Sequence, residues 1–486
     1  MGDTVRVRYA PSPTGYQHIG GVRTALYNYF FAKSNGGKFI LRVEDTDRER
    51  FAPDYQQDIF DSLAFLGVVP DEGPGFGGEC GPYIQSERVS IYREYAENLV
   101  KAGKAYYCFC TSERLEQLKK QQEQSKSSSQ GYDRKCSALS PDEAAARIAA
   151  GESHVIRLRI PTEGSTSFDD EILGRITRKN KDITPDPIIL KSDGFPTYHL
   201  ANVIDDHLMG ITHIMRAQEW LPSVPLHIML YDAFGWQPPK FCHLPMVMGK
   251  DGQKLSKRHG STSLRQFISE GYLKESIINY VTLVGWAYDG EREVFSKQEL
   301  EKVFDMSKIH PSPAVFDYKK LDWFNGMYIR EKSDAELVDL LRPHFNEQGL
   351  VVGDDGITRI IPLVKERLKK LSDAPAMVRF LFENVTYHDK KDFAAKGDGL
   401  DVAIHYLKQA LPLFENAKTD DDIDAIEERL QEISKADGVK ANSVFMPLRT
   451  AITASPVSPP LFASIRLLGV DKAVSRIKAA IAFLES

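Results

Sequence analysis

Near the start of the chain the spacing of apolar and polar positions changes period twice. Val5, Val7 and Tyr9 alternate with Arg6 and Arg8, the period of a strand with one buried face. The turn Ala10-Pro11-Ser12-Pro13-Thr14-Gly15-Tyr16-Gln17 follows. From about Gly21, Val22, Ala25, Leu26, Tyr29 and Phe30 recur at helical spacing, and Asn35-Gly36-Gly37 ends the predicted helix. KFILRV, residues 38–43, predicts a second strand. Strand, turn, helix and strand in this order imply a right-handed parallel βαβ unit, whose ligand site lies at the strand ends and the helix N-terminus.

After a helix marked by Ile59, Leu63 and Leu66 the pattern becomes irregular, glycine-rich from Gly73 to Gly81 and polar and low in complexity from Gln117 to Gln130. An insertion is expected there. Parallel α/β character returns with PIIL at 187–190, the turn Ser192-Asp193-Gly194, a helix over Tyr198 to Met209, the strand THIM at 212–215, a helix from about Leu221 and the strand HLPMV at 243–247. The two half-sheets are expected to complete one domain around the insertion. From about Ser333 the apolar residues follow three-and-four spacing, as in SDAELVDLL, TRIIPLVKERLKKL, DDIDAIEERLQEI and VSRIKAAIAFLE, which predicts an all-helical region. The expected division is a split α/β domain (1–80 and 190–250), an insert (81–189), a connecting domain (251–332) and a helical region (333–486).

Composition narrows the picture. With 486 residues the chain exceeds one hydrophobic core. Hydrophobic residues at 42% and charged residues at 27% are ordinary globular values, and no stretch has the uninterrupted apolar length of a membrane span, so a cytoplasmic protein is expected. Five cysteines are too few for a disulfide framework; three of them, Cys108, Cys110 and Cys136, cluster as metal ligands do. A net charge of −6 excludes a protein that coats polyanions indiscriminately but not one that meets a shaped acid through local basic patches.

Two segments carry candidate chemistry. Pro11 to Gly21 stands between strand and helix, where backbone N–H groups and the helix dipole favour phosphate, and His18 can bond phosphate oxygens. Lys250 to Arg258 supplies a cluster of cations able to neutralise a leaving pyrophosphate. In this order they resemble the two signatures of class I aminoacyl-tRNA synthetases, HIGH as His18-Ile19-Gly20-Gly21 and KMSKS as Lys254-Leu255-Ser256-Lys257-Arg258. The segments APSPTG, RVEDTDRER, FPTYHLANVIDDHLMGITHIMRAQEWL, KLSKRHG and MPLRTAITA make the resemblance specifically one to bacterial glutamyl-tRNA synthetases, over nearly the whole chain. Gly21 replaces the last histidine of the first signature, as is frequent in glutamate enzymes, and Arg258 replaces the last serine of the second, preserving positive charge.

The resemblance implies a Rossmann-type parallel-sheet catalytic domain of the α/β class, with an inserted domain for the tRNA acceptor end and an all-α C-terminal anticodon-binding region. It implies ATP with Mg²⁺, the partners L-glutamate and tRNA(Glu), a monomer and no membrane. Pro11, Ser12, Thr14, His18, Gly20, Glu219, Lys254, Ser256 and Lys257 would hold ATP, with Trp220 beside Glu219 at its border. Of these, His18, Gly20, Lys254 and Lys257 would steady the phosphates and the charge growing in the transition state. Arg8 and Arg216 would grip glutamate, with Ser12, Glu44, Tyr198 and Asn202 completing the pocket. Arg8 leaves the first strand, and Arg216 follows THIM, at the same sheet edge. A buried guanidinium would reject neutral glutamine by being left unpaired, so no editing domain is required.

Cys108 and Cys110, two apart on a strand, share a face, and Cys136 offers a third thiol across a polar loop. Tetrahedral Zn²⁺ takes four ligands. Ala138 occupies the place where some family members carry a histidine; others use a tyrosine four residues before the last cysteine, which makes Tyr132 the expected fourth ligand of a structural zinc. The alternative is three reduced cysteines without metal. Arg157, Arg159, Arg175, Arg178, Lys179 and Lys181 are candidate contacts to the acceptor end, and Lys365, Arg367, Lys369 and Lys370 lie in the region that the resemblance assigns to the anticodon. Three other readings remain: a glutaminyl-tRNA synthetase, which carries β-barrel anticodon domains; a shortened relative that glutamylates a queuosine base; and a non-catalytic zinc-containing RNA-binding protein.

Overall fold

A computed structural model describes residues 4–125 and 131–486. The chain forms two compact units, one running up to Phe267 and including Ile277–Tyr318, the other comprising Ile268–Ser276 and Lys319–Ser486.

The first unit opens with β1 (Arg6–Tyr9), α1 (Ile19–Ser34) and β2 (Lys38–Leu41), and β1 pairs with β2 in parallel from Arg6 opposite Lys38 to Tyr9 opposite Leu41. Val7, Phe39, Ile40 and Leu41 are wholly buried, as expected for parallel strands covered on both faces. The Asn35-Gly36-Gly37 turn has two separate physical reasons: Gly36 adopts φ +61°, and a Cβ on Gly37 would collide with the Val5 backbone. The strand–turn–helix–strand unit expected from the hydrophobic periods is therefore present. Continuing along the chain are α2 (Pro53–Phe65), α3 (Val89–Lys101), β3 (Ala105–Cys108), α4 (Ser112–Gln124), α5 (Pro141–Ala149), β4 (Val155–Leu158), β5 (Ser165–Asp170), β6 (Gly174–Lys179), β7 (Ile188–Leu190), α6 (Tyr198–Leu208), β8 (His213–Ala217), α7 (Val224–Phe234), β9 (Lys240–Leu244) and β10 (Val247–Met248).

β8 and β9 are parallel, and β9 continues through Asp170 into the antiparallel β5–β6 hairpin. β1 comes alongside β8, where Thr212 N donates to Arg6 O at 2.9 Å and Asn28 Nδ2 donates to Met215 O at 3.0 Å. The amino-terminal and later half-sheets thus meet, although more than two hundred positions separate them in sequence.

Three expectations need correction. The stretch from Gln117 was expected to be irregular, yet Ser112–Gln124 is helical; Thr111 caps it through Arg114 N, and Glu, Lys and Gln sustain a helix that buries none of its residues. With only Leu115 and Leu118 apolar and neither fully buried, it carries little amphipathic signal. Residues 126–130 of the same stretch lie outside the described residues. PIIL was read as part of the parallel half-sheet, but β7 pairs antiparallel with β4, which pairs antiparallel with β3, so it belongs to the insertion's own sheet. HLPMV is not one strand: β9 ends at Leu244, because Pro245 has no N–H for the ladder, and β10 begins at Val247 in a separate sheet.

The second unit is helical after Asp334–Glu347, with no strand among its described residues. Leu400–Asn416 buries Ala403, Tyr406, Leu407, Ala410 and Phe414 at the expected spacing, against Ile423, Ile426 and Leu430 of Asp420–Ala436 and Leu448, Ile452 and Ile477 of later helices. Among the described residues no helix is long and apolar enough to cross a membrane.

Candidate active site

His18 adopts an extended backbone (φ −100°, ψ 162°) as the N-cap of α1, and its Nδ1 accepts from Gly20 N at 3.1 Å and Gly21 N at 3.3 Å. A cap that accepts through Nδ1 places the neutral ring's proton on Nε2, which is thereby left as a donor. Burial, with the nearby charge of Lys254, pulls the His18 imidazole below its ordinary pKa and favours that neutral form. A Cβ on Gly20 would stand 3.0 Å from His18 Cε1, and one on Gly21 3.0 Å from Tyr9 Oη, so a side chain at either position would press on its neighbour. Pro11 O accepts from Glu44 N and Ser12 Oγ donates to Glu44 O, tying this loop to the segment after β2; Thr14 N closes the turn on Ser12 O.

The second signature forms a reversal after β10. Gly249 N donates to Gln253 O at 2.7 Å, Leu255 N donates to Val247 O at 3.0 Å, and Gly252 sits at φ +72°. Ser256 N donates to His259 Nδ1 at 3.0 Å. Just beyond, the chain hydrogen-bonds to the first signature: Ile19 N donates to Thr262 O at 2.9 Å and Leu264 N to Gln17 O at 2.8 Å. Lys254 Nζ pairs with Glu219 Oε1, and both charges act on His18. The backbone of Lys257 opens a short helical turn, but its side chain lies outside what is described.

The other candidates meet under the same strand ends. Arg8 Nε and Nη2 fork onto Asp206 at 3.0 and 3.2 Å, leaving Nη1 outside the fork. Arg42 Nη1 reaches Asp206 at 2.7 Å and Arg42 Nη2 reaches Glu44 Oε1 at 2.9 Å. The Asn202 amide satisfies both its ends with nitrogen toward Asp206 Oδ2 (3.3 Å) and oxygen toward Arg42 Nη2 (3.1 Å). Burial pushes the Glu44 carboxyl above its ordinary pKa in spite of Arg42 and Arg8; burial acts the same way on Asp206, but there the two arginines prevail and hold it below.

Arg216 is arranged differently. Only 5% exposed, it donates from Nε to His243 Nε2 (3.1 Å), from Nη1 to Tyr198 Oη (2.8 Å) and from Nη2 to Trp220 O and Ser223 Oγ (3.4 Å each). Among the described residues none of its partners is a carboxylate. Burial pulls its guanidinium below the ordinary value, with the charge of Arg8 adding to the effect. The Tyr198 ring packs on Trp220 at 4.5 Å between centroids, and Trp220 adjoins Glu219, the partner of Lys254. An unbroken series of contacts therefore runs from Arg216 to Lys254.

Away from this site, the Sγ atoms of Cys108, Cys110 and Cys136 lie within 4.8 Å of one another. Tyr132 Oη stands 3.3 Å from Cys108 Sγ, 3.6 Å from Cys110 Sγ and accepts from Cys136 N at 3.0 Å. Arg157, expected on an RNA-facing surface, is instead buried, its guanidinium 3.9 Å from the Tyr132 ring centroid and its Nη1 donating to Asp186 O.

Comparison with known proteins settles the family. A family model described as tRNA synthetases class I (E and Q), catalytic domain, matches residues 4–323, and one described as anticodon binding domain matches residues 336–481. The chain is 53% identical to a glutamate–tRNA ligase of Borreliella burgdorferi, with 99% of each chain covered. The chain belongs to the glutamate–tRNA ligase family of class I tRNA synthetases. A Treponema denticola glutamate–tRNA ligase is 51% identical, over 98% of this chain and 99% of its own. The crystal structure of a glutamate tRNA ligase from Elizabethkingia meningosepticum in complex with its amino acid matches with a TM-score of 0.85 and 35% identity, covering 99% of this chain and all of that one. The glutaminyl alternative is not favoured, and the helical region after Ser333 agrees with the second match.

For this class I ligase, sequence reasoning brought Arg8, Ser12, Glu44, Tyr198, Asn202 and Arg216 to one place but missed their neighbours Arg42, Asp206 and His243. Asp206 had a usable signal, since Tyr198, Asn202 and Asp206 are four apart on α6 and share a face.

Proposed function

We infer that the chain activates L-glutamate with ATP to glutamyl-adenylate and transfers it to the 3′-terminal adenosine of tRNA(Glu), releasing AMP and pyrophosphate. The observation that carries this reading is the buried Arg216 guanidinium, without a carboxylate partner among the described residues, joined by contacts to the pair Lys254–Glu219 beside His18. A cation held so deep is costly unless an anion arrives to pair with it. The side-chain carboxylate of glutamate meets that need, and neutral glutamine does not.

In this reading Arg216 and Tyr198 hold the side-chain carboxylate. Arg8, through Nη1, and Ser12 flank the substrate, and Glu44 and Asn202, with Asp206 behind them, face the α-ammonium. The α-carboxylate then attacks the α-phosphorus in line, which demands positioning and charge stabilisation more than proton transfer. His18 Nε2–H and the Gly20 backbone bind phosphate oxygens; Lys254, released from Glu219, and Lys257 follow the charge onto pyrophosphate, with Ser256 steadying their loop. Pro11, Thr14 and Glu219 border the nucleotide. Mg²⁺ carried by ATP would screen the β- and γ-oxygens. The insert would meet the acceptor end.

The test is to supply ATP, Mg²⁺ and tRNA(Glu) with labelled glutamate or glutamine. Glutamate should be charged and glutamine should not; charging of neither, or preference for glutamine, overturns the reading.

The soft donor set of Cys108, Cys110 and Cys136 with Tyr132 fits a structural Zn²⁺, which would cross-link the insert. Metal analysis should find about one zinc per chain, and Cys110→Ser should lower both zinc content and melting temperature. A zinc-free protein whose melting temperature is unmoved by chelators would contradict the assignment.

A further inference from the structure

Behind Arg216 lies a buried series of polar groups that touches no part of the proposed substrate. Asp170, the last residue of β5, is wholly buried, and its Oδ1 accepts from Ile172 N (3.0 Å) and Leu173 N (2.9 Å). Its Oδ2 accepts from His243 N (3.1 Å) and lies 2.6 Å from His243 Nδ1. The imidazole, also wholly buried, presents Nε2 to Arg216 Nε at 3.1 Å. β5, β9 and β8 stand side by side in one sheet, which brings the three side chains into line.

We propose that Asp170 and His243 are positioning residues for glutamate selection: they lock a neutral imidazole in one tautomer, so that it accepts from Arg216 Nε and fixes the guanidinium toward the pocket without cancelling its charge. This rests on the reading of Arg216 given above. The chemistry permits one assignment. Arginine only donates, so His243 Nε2 must accept; the carboxylate only accepts, so His243 Nδ1 must carry the proton. A carboxylate placed directly at Arg216 Nε would also satisfy the donor, but it would form the ion pair that the substrate has to form. An imidazole satisfies the N–H and leaves the positive charge available. Burial, together with Arg216 and Arg8, disfavours the imidazolium against the opposing pull of Asp170, which agrees with a neutral ring.

The tautomer makes the proposal testable by variants of nearly equal shape. In Asp170→Asn the amide oxygen can still accept from Ile172 and Leu173, but its NH₂ gives up the bond from His243 N and faces His243 Nδ1, which drives the ring proton to Nε2 and sets donor against donor at Arg216. Asp170→Ala leaves the ring free to take either tautomer, although it removes more packing and more backbone hydrogen bonds. The expected result is a glutamate KM raised at least about tenfold in Asp170→Asn, the scale of a hydrogen bond to a charged group. The ATP KM should stay unchanged, and discrimination against glutamine should weaken. Asp170→Ala should have the lower melting temperature yet the smaller rise in glutamate KM. A merely structural role would rank the two variants by stability alone, and that ranking overturns the proposal. His243→Phe should likewise raise the glutamate KM, and His243→Gln, whose carbonyl oxygen can accept at the Nε2 position, should recover a large part of the loss. Arg216→Ala measured in parallel separates the two failures: if it raises the glutamate KM while Asp170→Asn and His243→Phe do not, the positioning proposal alone falls; if it too leaves the KM unchanged, the pocket reading falls and the proposal with it.

Discussion

Replacing Arg216 with alanine is expected to lower kcat/KM for glutamate on the order of 10²–10³-fold, the cost of truncating one partner of a buried charge pair, and to do so through KM for glutamate. The ATP KM and tRNA affinity should be nearly unaffected. What makes this sharper than an ordinary loss-of-function variant is the expected effect on stability. Arg216 is nearly buried, has no carboxylate among its described partners, and carries a guanidinium whose charged form burial disfavours, with Asp206 and Glu44 offsetting this only in part, so folding currently bears an incompletely compensated cation. Alanine removes that cost while stranding only neutral partners, His243, Tyr198, Trp220 O and Ser223 Oγ. The melting temperature should therefore hold or rise as activity collapses, the pattern of a residue strained for function. A fall in melting temperature with unchanged glutamate KM would mean that Arg216 serves the fold and not the substrate.

Lys254→Ala should act on the other coordinate of catalysis. The Lys254 side chain is 58% exposed and its ion pair with Glu219 is solvent-screened, so its loss should leave stability where it was. If the ammonium leaves Glu219 to meet charge developing on the leaving pyrophosphate, kcat for activation should fall on the order of 10²–10³-fold, as when one preorganised donor is removed. Ground-state KM values should change little. Pre-steady-state measurement of glutamyl-adenylate formation separates this from slowed transfer. A raised ATP KM with normal kcat would instead assign Lys254 to ground-state ATP binding.

How much of this was legible in the sequence follows from the range of the forces involved. The period change from Val5–Tyr9 to Val22–Phe30, the turn residues of Asn35-Gly36-Gly37 and the helical spacing after Ser333 are local signals, and the corresponding elements formed. The resemblance supplied what periodicity could not, namely that His18 and Lys254 belong together; the backbone bonds Ile19 to Thr262 and Leu264 to Gln17 are its structural counterpart. What stayed hidden were partners chosen at long range. That Asp206 would fork onto Arg8, or that His243 would stand between Asp170 and Arg216, depends on which strands become neighbours, and no local pattern announces it. α4 failed for the opposite reason, because a helix with two leucines and no fully buried residue leaves little period to read. Arg157 looked like a solvated or RNA-facing cation until Tyr132 and Asp186 were brought beside it.

The most direct test is a crystal structure with a non-hydrolysable glutamyl-adenylate analogue. The expected result is one bound molecule whose side-chain carboxylate pairs with Arg216 and whose phosphate lies beside His18 and Lys254. A carboxylate held by some other cation, or an adenylate seated away from His18, would contradict the convergence on which the assignment of this site depends.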